Sequence, residues 1–288
     1  MKSGILVYDR ADAEYNKWFI EHIIRSGYEL GLKIRLVISD ELAPEEISEK
    51  SVKSQICDFA IMRNRDYKMS EMLEKNGIRC FNSSYVCKIG NDKWEMYREF
   101  QSAGIPVMYT QRSKLPFPCV LKPRDGHGGK NVFLVNNRDE YDEIVSNIEK
   151  CDNTESDVRN SAHMSNIDNY IYQIPASEKG RDIRVYIVGD KILTAMERRV
   201  ADNSDEFRAN FSLGGSASEY ALNDEEMRLA AKVADYIKAD FVGIDIIYNN
   251  GKPVVNEIED AVGTRMLYQE TDIDAVEIYM RWIADEIK

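Results

Sequence analysis

Three carboxylates stand close together near the end of the chain, in two consecutive runs that are rich in β-branched residues. Asp245 belongs to the run FVGIDIIY, and Glu257 and Glu259 belong to the run KPVVNEIE. The short polar segment NNG separates the two runs, which predicts an antiparallel hairpin. Because side chains alternate between the two faces of a strand, we expect the three carboxylates to meet on one face of this hairpin.

The spacing of these carboxylates depends on the register of the hairpin. A three-residue turn over 249–251 pairs Asp245 with Val255 and makes Asp245 and Glu257 diagonal neighbours, about 7–8 Å apart. Carboxylates this close repel one another unless a cation joins them, and hard oxygen ligands favour Mg²⁺ or Mn²⁺. The alternative is a solvated acidic face, which the hairpin alone leaves open.

A glycine-rich connection with two lysines lies in the segment PCVLKPRDGHGGKNVFLV. Gly126, Gly128 and Gly129 would let backbone amides approach phosphate oxygens, while Lys122 and Lys130 supply positive charge. The segment is not a Walker A loop, because a strand rather than a helix follows GGK. It predicts a strand–glycine loop–strand flap, with an ordinary glycine-rich hairpin as the alternative.

The elements that position these residues predict an α/β chain of three units, over 1–86, 87–169 and 170–288. In the first unit, the runs ILVY, IRLVIS and FAIM predict parallel strands, and helices are expected over 14–30 and 70–77. No GxGxxG motif follows the first strand, which disfavours a dinucleotide-binding site.

The second unit begins with a helix in DKWEMYREFQSAG, for which Asn91 or Asp92 is a candidate N-cap. Residues 150–169 are polar and without a clear period, so we expect an exposed loop there. The third unit contains the strands IRVYIV and KILTAM, a helix over 224–238, the acidic hairpin and a terminal amphipathic helix.

Composition limits the classes of function. The chain has 288 residues, 43% hydrophobic and 31% charged, with a formal net charge of −12. The acidic balance disfavours nucleic acid and anionic membranes as partners. Five cysteines without a CxxC pair argue against a disulfide framework and a zinc knuckle. No signal peptide or membrane-spanning run is visible, so we expect a cytosolic, cytoplasmic protein; a homo-oligomer stays open.

Several motifs in their order along the chain resemble those of ATP-grasp ligases, in particular the ribosomal-protein glutamate ligase (RimK-like) branch. They are NDKWEMY, CVLKP, GHGGK, YIYQIPASEKGRDIRVYIVGDKILTAMERR, FRANFSLGGSASEY, GIDIIY and NEIE. The likeness runs from residue 90 to the C-terminus. It implies an ATP-grasp fold of the α/β (α+β) class, preceded by a Rossmann-like pre-ATP-grasp domain, and ATP with Mg²⁺ as cofactors.

The resemblance also implies roles for individual residues. Lys93 and Lys122 match the two phosphate-contacting lysines, and Gln173 and Ile174 match the hinge whose backbone meets adenine. Asp182 matches an acidic position near the ribose. The catalytic pair is implied to be Arg208 and Asn210, which face the terminal phosphate and the reacting carboxyl group, and the magnesium ligands are implied to be Asp245, Glu257 and Glu259.

The chain departs from the family pattern at three places. Glu259 stands where these ligases usually have Asn, which adds a negative charge to the metal site. The segment DAVGTR replaces a Ser-Pro-Gly type of turn at the border of the acceptor region, so the identity of the acceptor cannot be carried over. Gln173 replaces a frequent Glu at the hinge.

The sequence also suggests roles for the three histidines and for the arginines beside Glu197. His22 and His163 lack a partner at ligand spacing, so a surface or hydrogen-bonded role is expected. His127 lies inside the flap, where phosphate contact and plain exposure are both open. Arg198 and Arg199, beside Glu197, are a candidate part of a carboxylate-binding site.

The favoured function is an ATP-dependent carboxylate–amine ligase, which forms an acyl phosphate and passes the acyl group to the amine of an amino acid, peptide or protein. One alternative is an ATP-binding module without turnover, with Glu259 as its sign. Another is a carboxylate–thiol or phosphoryl-transfer enzyme on the same scaffold.

Overall fold

Three β-sheets organise the computed structural model, which describes residues 1–41, 57–126, 128–150, 166–200 and 215–288. The first sheet is parallel and has the order β2-β1-β3-β4. Its strands are β1 (Lys2–Tyr8), β2 (Leu32–Ile38), β3 (Phe59–Met62) and β4 (Arg79–Phe81). The parallel unit predicted at the start of the chain is therefore confirmed.

Within 1–41 and 57–90, four helices accompany the first sheet: α1 (Arg10–Tyr15), α2 (Lys17–Glu29), α3 (Tyr67–Lys75) and α4 (Ser84–Gly90). The helix expected over 14–30 is found as α2, but it starts only at Lys17 because Asn16 interrupts the helical backbone after α1. The Asn16 backbone leaves the helical region (φ −108°, ψ 24°), and its side-chain amide donates to the carbonyl of Asp12 at 2.7 Å. Such a side-chain bond offers the backbone an alternative to continuing the helix.

The second sheet has the order β5-β8-β6-β7, with antiparallel pairs throughout. Its strands are β5 (Thr110–Gln111), β6 (Cys119–Pro123), β7 (Phe133–Val135) and β8 (Tyr170–Gln173). The glycine flap thus joins two paired strands, as predicted. The unit boundary predicted at 169/170 remains a prediction, although β8, which begins there, pairs with β6 and extends the second sheet past that boundary.

Two helices flank this sheet in the chain. The helix α5 (Lys93–Ser102) starts at Asp92, whose carboxylate accepts from the N–H groups of Trp94 and Glu95, so this N-cap prediction is confirmed. The helix α6 (Arg138–Lys150) packs Ile148 into the apolar cluster of the second sheet. Most of the predicted loop over 150–169 lies outside the described residues, and Ile167–Asn169 form a short 3₁₀ turn.

The third sheet is antiparallel and has the order β11-β10-β9-β12-β13. Its strands are β9 (Arg181–Val188), β10 (Lys191–Arg199), β11 (Ser216–Tyr220), β12 (Phe241–Asn249) and β13 (Lys252–Glu259). The helices α7 (Asp224–Ile237), α8 (Arg265–Glu270) and α9 (Ala275–Glu286) complete the chain.

The two faces of the third sheet differ in chemistry. One face, with Ile183 and Ile244, is apolar and shares a core with α5 and α7. The opposite face is apolar at one end, where Tyr186 and Met196 join the core formed with α9 and the first sheet. Because side chains alternate, residues Asp182, Arg184, Arg198 and Asp245 fall on that same face at its other end. The polar end of this face lies beside the second sheet and carries the candidate site.

Candidate active site

The acidic hairpin closes through a two-residue turn rather than the three-residue turn predicted from the sequence. Asn249 pairs with Lys252, and the turn residues Asn250 and Gly251 have φ values of 51° and 76°. Two consecutive residues with positive φ are typical of the tight hairpin turn that Asn-Gly sequences favour. The predicted pairing of Asp245 with Val255 is therefore wrong.

A β-bulge at Asn256 sets the position of the carboxylates. Val255 pairs with Ile246 and Glu257 pairs with Asp245, so Asn256 is the extra residue on β13. As a result Asp245 lies directly opposite Glu257 instead of diagonally. Asp245, Glu257 and Glu259 each offer a carboxylate oxygen, and these oxygens all lie within 4.8 Å of one another.

This carboxylate trio (Asp245, Glu257 and Glu259) is suited to a hard divalent cation, because Mg²⁺ takes oxygen ligands and the three groups leave unshared oxygen lone pairs. The convergence expected on one face is found, with a different register. The assignment of the three residues as magnesium ligands stays a prediction.

Two buried arginines bind two members of the trio, Asp245 and Glu259. Arg184 donates to both carboxylate oxygens of Asp245 at 2.7 Å and to Glu259 at 3.2 Å. Arg198 donates to Asp182 at 2.6 and 2.7 Å and to Asp245 at 2.7 Å. Burial opposes the charged form of Asp245, but Arg184 and Arg198 outweigh it and lower the pKa of Asp245 to about 2. The carboxylate of Asp245 is therefore ionised over the physiological range.

Sequence reasoning missed Arg184, although its alternate spacing with Asp182 in GRDIRVYIV placed both on one face. Arg198 is predicted to be part of a carboxylate-binding site, and the structure shows it bound to carboxylates of the chain itself. Arg199 instead binds Glu197 on the more exposed side of β10.

The two predicted phosphate-binding lysines are both buried and lie beside Glu257. Lys93, the first residue of α5, is 3.5 Å from Glu257 through its ammonium group and also donates to the carbonyl of Gly126. Lys122, on β6, donates to the hydroxyl of Tyr97 at 2.7 Å and to the side-chain oxygen of Asn256 at 3.2 Å.

Charge on Lys122 is disfavoured in this environment. Burial lowers the pKa of Lys122 to about 7, with Lys93 acting in the same direction and Glu257 opposing. Burial likewise raises the pKa of Glu257, against the effect of Lys93. A partner of opposite charge would therefore stabilise the ionised form of each group, for example phosphate for Lys122 and a cation for Glu257.

A cleft with about 930 Å³ of empty space, part of it open to solvent, lies between the second and third sheets above these lysines. Apolar side chains such as Val120, Leu134 and Ile247 line it together with Lys93 and Lys122. This combination of apolar walls and cationic groups suits a ligand with an apolar ring and an anionic tail.

The predicted flap residues divide between two spaces. Gly126, Gly129 and Lys130 line the cleft, and Gly128 lines a second cavity described below. A side chain at Gly126 would place a Cβ 2.5 Å from Cγ of Pro123, so only glycine fits that approach.

The hinge residues Gln173 and Ile174 are placed differently. Gln173 lines the cleft, and its side-chain amide donates to the hydroxyl of Thr110 at 3.0 Å. The N–H of Ile174 donates to the carbonyl of Tyr109 at 3.1 Å, so that N–H is engaged within the chain. Asp182 also lines the cleft, while its carboxylate is bound by Arg198. The predicted contacts with adenine and ribose remain predictions.

A second cavity, which is open to solvent, lies on the other side of the trio. Glu257 lines both spaces, and Glu259, Arg184 and Arg198 line the second. Its remaining walls come from distant parts of the chain and include Tyr15, Trp18, Phe19, Thr264, Arg265 and Tyr268. Apart from the DAVGTR segment at its border, no motif in the sequence predicted this cavity.

The guanidinium of Arg265 lies 4.4 Å from the ring centre of Tyr15 and bonds to its hydroxyl. It is exposed and directed at the rim of the second cavity, where it offers a positive charge. The predicted catalytic residues Arg208 and Asn210, and also His127 and His163, lie outside the described residues. His22 is hydrogen-bonded to Asp274 at 2.8 Å, in agreement with the structural role expected for it.

Comparison with known proteins places these features in a family. A model described as the RimK-like ATP-grasp domain matches residues 67–283. An uncharacterized protein of Mycoplasma genitalium is 28% identical over an alignment of 297 positions, which covers 100% of this chain and 94% of that protein. The glutamate–LysW ligase ArgX of Sulfurisphaera tokodaii is 28% identical over 247 residues, covering 79% of this chain and 82% of ArgX.

Solved structures agree on the fold. The D-cycloserine synthetase DcsG superposes with a TM-score of 0.71 at 13% identity, covering 99% of this chain and 100% of that chain. The D-alanine–D-alanine ligase from Bacillus anthracis in complex with ATP superposes with a TM-score of 0.71 at 16% identity, covering 100% and 97%. None of the described helices is long and apolar enough to cross a bilayer. The family model covers most of the chain, which therefore has the ATP-grasp fold and belongs to the RimK-like ATP-grasp family of carboxylate–amine ligases.

Proposed function

We propose that this protein is an ATP-dependent ligase that activates a carboxylate as an acyl phosphate and joins it to an amine. The observation that carries the proposal is the position of Glu257, which lines both the lysine-containing cleft and the second cavity. A group that borders both spaces can act where a phosphoryl group passes from a nucleotide to a second substrate.

The cleft is the proposed nucleotide site. Lys93 and Lys122 would contact phosphate oxygens, and apolar residues such as Val120 and Leu134 would cover the adenine ring. Asp245, Glu257 and Glu259 would hold Mg²⁺, for which Mn²⁺ is a suitable substitute. When bound, the metal supplies charge neutralisation on the phosphates. Arg184 and Arg198 keep the carboxylate of Asp245 ionised and oriented for this purpose.

The proposed chemistry uses both spaces. A carboxylate oxygen of the substrate attacks the γ-phosphorus of ATP, and ADP leaves. The amine of the acceptor then attacks the carbonyl carbon of the acyl phosphate, phosphate leaves, and loss of a proton gives the amide. The residues proposed for the terminal phosphate and the reacting carboxyl group remain Arg208 and Asn210, which would stabilise the developing negative charge.

The substrate class is proposed from the second cavity and from the named relatives. ArgX is a glutamate–LysW ligase, and further relatives are probable α-L-glutamate ligases. The ATP-grasp ligase PsnB has been solved with a precursor peptide. These names support glutamate, or a similar amino acid, as one substrate, and an amino acid, peptide or protein as the other. Arg265 at the rim of the cavity would bind a carboxylate of either.

One observation favours an alternative, a nucleotide-binding module without turnover. Asp245 already has both carboxylate oxygens bound to arginines, and Glu259 adds a charge where the family usually has Asn. In that case the arginines would satisfy Asp245 and Glu259 in place of a metal, and ATP would bind without reacting.

The deciding experiment is a screen of ADP release over paired amino acids and carboxylates, with mass spectrometry of the products. Release of one ADP for each amide formed supports the ligase. ATP binding without ADP release under every pair selects the binding module. Formation of AMP or a thioester would contradict both and point to a different reaction on the same scaffold.

A further inference from the structure

Two aromatic side chains that line the second cavity are partly exposed yet fixed in orientation. Trp18, on α2, lines this cavity and is 55% exposed. Its indole is stacked on the ring of His22, with ring centres 5.1 Å apart, and it meets the ring of Tyr268 edge-on at 4.8 Å. Tyr268, on α8, lines the same cavity and is half-buried. Trp18 and Tyr268 together form the aromatic wall of the cavity.

One carboxylate anchors both sides of the aromatic wall. Asp274, the N-cap of α9, is hydrogen-bonded to Nε2 of His22 at 2.8 Å and accepts from the hydroxyl of Tyr268 at 2.8 Å. A single exposed aromatic residue is common on protein surfaces, but a braced pair inside a substrate cavity is not a plain surface feature. Because rings that are already held in place lose little freedom on binding, they take up an apolar group at low entropic cost.

The arginines that line this cavity differ in their partners. Arg184 and Arg198 are bound to carboxylates of the chain itself. Arg265 is bonded to the hydroxyl of Tyr15, and it forms no ion pair with any described residue. The described lining thus offers one uncommitted cation beside an aromatic wall. A side-chain carboxylate of a ligand would be desolvated against that wall without a cation, which is costly, whereas an apolar side chain fits it.

The chemistry of the transfer indicates which substrate can use Arg265. An amino acid with a single carboxylate loses that group to activation when it is the acid substrate. As the amine substrate it keeps the carboxylate throughout, because its amine forms the new bond. Only in the second case can Arg265 remain paired with the carboxylate while the side chain stays on the aromatic wall.

We propose that the amine substrate is a free α-amino acid with an aromatic or large aliphatic side chain. The side chain packs on the aromatic wall, and the carboxylate binds Arg265. This inference rests on the proposed ligase function. The amine nitrogen bonds to the acyl carbon, the bond from that carbon to the phosphate oxygen breaks, phosphate leaves, and the nitrogen loses a proton to solvent. The amide product retains the carboxylate of the apolar amino acid.

The first test measures kcat/KM for ADP release with phenylalanine or alanine as the amine substrate, with the carboxylate substrate found in the screen. Phenylalanine should exceed alanine by about tenfold or more, because the wall covers its ring. Trp18→Ala should lower this ratio by about tenfold, and Trp18→Phe should keep most of it. Tyr28→Ala, which removes a 70% exposed aromatic of α2 away from the cavity lining, should leave the ratio unchanged. A wild-type ratio near one would overturn the proposal without any variant, as would an unchanged ratio in Trp18→Ala.

The second test concerns the carboxylate of the amine substrate. Phenylalaninamide keeps the side chain and the amine but lacks the negative charge. Arg265→Met should lower the ratio of kcat/KM for phenylalanine to that for its amide by about fivefold, whereas Arg281→Met should not change it. Equal losses with acid and amide would contradict the role of Arg265. A peptide with N-terminal phenylalanine that reacts as well as free phenylalanine would overturn the assignment to a free amino acid.

Binding is tested separately from turnover, in the presence of ADP and Mg²⁺. Phenylalanine should raise the Tm more than alanine does at the same concentration, and Trp18→Ala should remove the difference. Equal gains in Tm would overturn the aromatic subsite. If no substrate pair releases ADP but this difference is found, the ligase function fails and the subsite stands. If ADP is released equally well with alanine and phenylalanine, the subsite fails and the ligase function stands.

Discussion

The two spaces on either side of Glu257 are built in different ways. The cleft between the second and third sheets is lined mainly by residues of motifs that the sequence analysis identified, such as CVLKP, the glycine flap, QIPASEKGRD and the acidic hairpin. The second cavity joins Tyr15 of α1, Arg184 of β9 and Arg265 of α8, which only the complete fold brings together. A motif-based space can be recognised from the sequence, whereas an assembled one is free to change its ligand without disturbing the motifs.

The largest effect is expected at the residue that the two spaces share. Glu257→Gln should lower turnover by about 100-fold or more, because the charge is needed most as the phosphoryl group moves. ATP binding, measured by calorimetry, should change much less. Glu197→Gln is the control, a carboxylate of the same sheet that binds Arg181 and Arg199, and it should keep its turnover. Normal turnover in Glu257→Gln would contradict the shared role.

A smaller effect, confined to the cleft, is expected at Lys122. Removing a buried cation from a phosphate site costs about 2 kcal/mol or more, which is about 30-fold in Kd. Lys122→Ala should therefore weaken ATP binding and reduce the Tm gain from ATP with Mg²⁺. The KM of the carboxylate substrate should change little, and a change confined to that KM would place Lys122 in the wrong space.

The second cavity should respond in the opposite way. Arg265 is exposed, so its contact with a substrate carboxylate is partly screened and worth about 1 kcal/mol, or about fivefold. Arg265→Met should raise the KM of one substrate by about that factor and leave the KM of ATP unchanged. Arg281→Met, which removes an exposed arginine bound to Glu277, is the matched control. Equal effects of Arg265→Met on both KM values would contradict the assignment of ATP and the second substrate to separate spaces.

The smallest expected effect is the uptake of a fraction of a proton when ATP binds. With a pKa of about 7, Lys122 is largely neutral at about pH 8, and phosphate would raise that pKa. ATP binding should then take up a fraction of a proton at about pH 8, seen as a dependence of the calorimetric heat on the ionisation enthalpy of the buffer. Lys122→Arg stays charged and should abolish the uptake contributed by this residue. Uptake that persists in Lys122→Arg would assign the proton to another group.

The lowered pKa of Lys122 also determines whether the stability of the ligand-free protein rises or falls with pH. The pKa of Lys122 is about 7 in the fold and lies below its ordinary value of 10.5, so the unfolded chain binds more protons between these values. Its contribution to the free energy of unfolding therefore rises with pH across this range and is lowest at acidic pH. Lys122→Met should remove that rise.

Much of the fold followed from patterns visible in the sequence. The strands of the first and third sheets have strong apolar patterns, and the flap and the N-cap at Asp92 carry local signals. The break at Asn16 and the helix α6 were not found. The candidate site was predicted where its residues lie within one motif, as with Lys122 and Glu257. Arg184 and Arg265 were not found, because their partners Asp245 and Tyr15 belong to other elements that are distant in sequence.

The hairpin shows why register is difficult to predict. The run NNG allows a turn of either two or three residues, and the choice depends on backbone angles that the letters do not specify. The bulge left one trace in the sequence. Val255 and Ile258 both belong to the apolar core, and a spacing of three between core residues contradicts strict alternation within a strand.

That extra residue also changes how densely one strand can present polar groups. A regular strand presents side chains on one face at intervals of about 6.6 Å, since every second residue points away. At the bulge, the adjacent residues Asn256 and Glu257 both line the cleft, and their Cα atoms are only about 3.8 Å apart. Asn256 accepts from Lys122 while Glu257 faces Lys93. One strand thus presents an amide and a carboxylate to two lysines within a length of backbone where regular pleating has room for only one group.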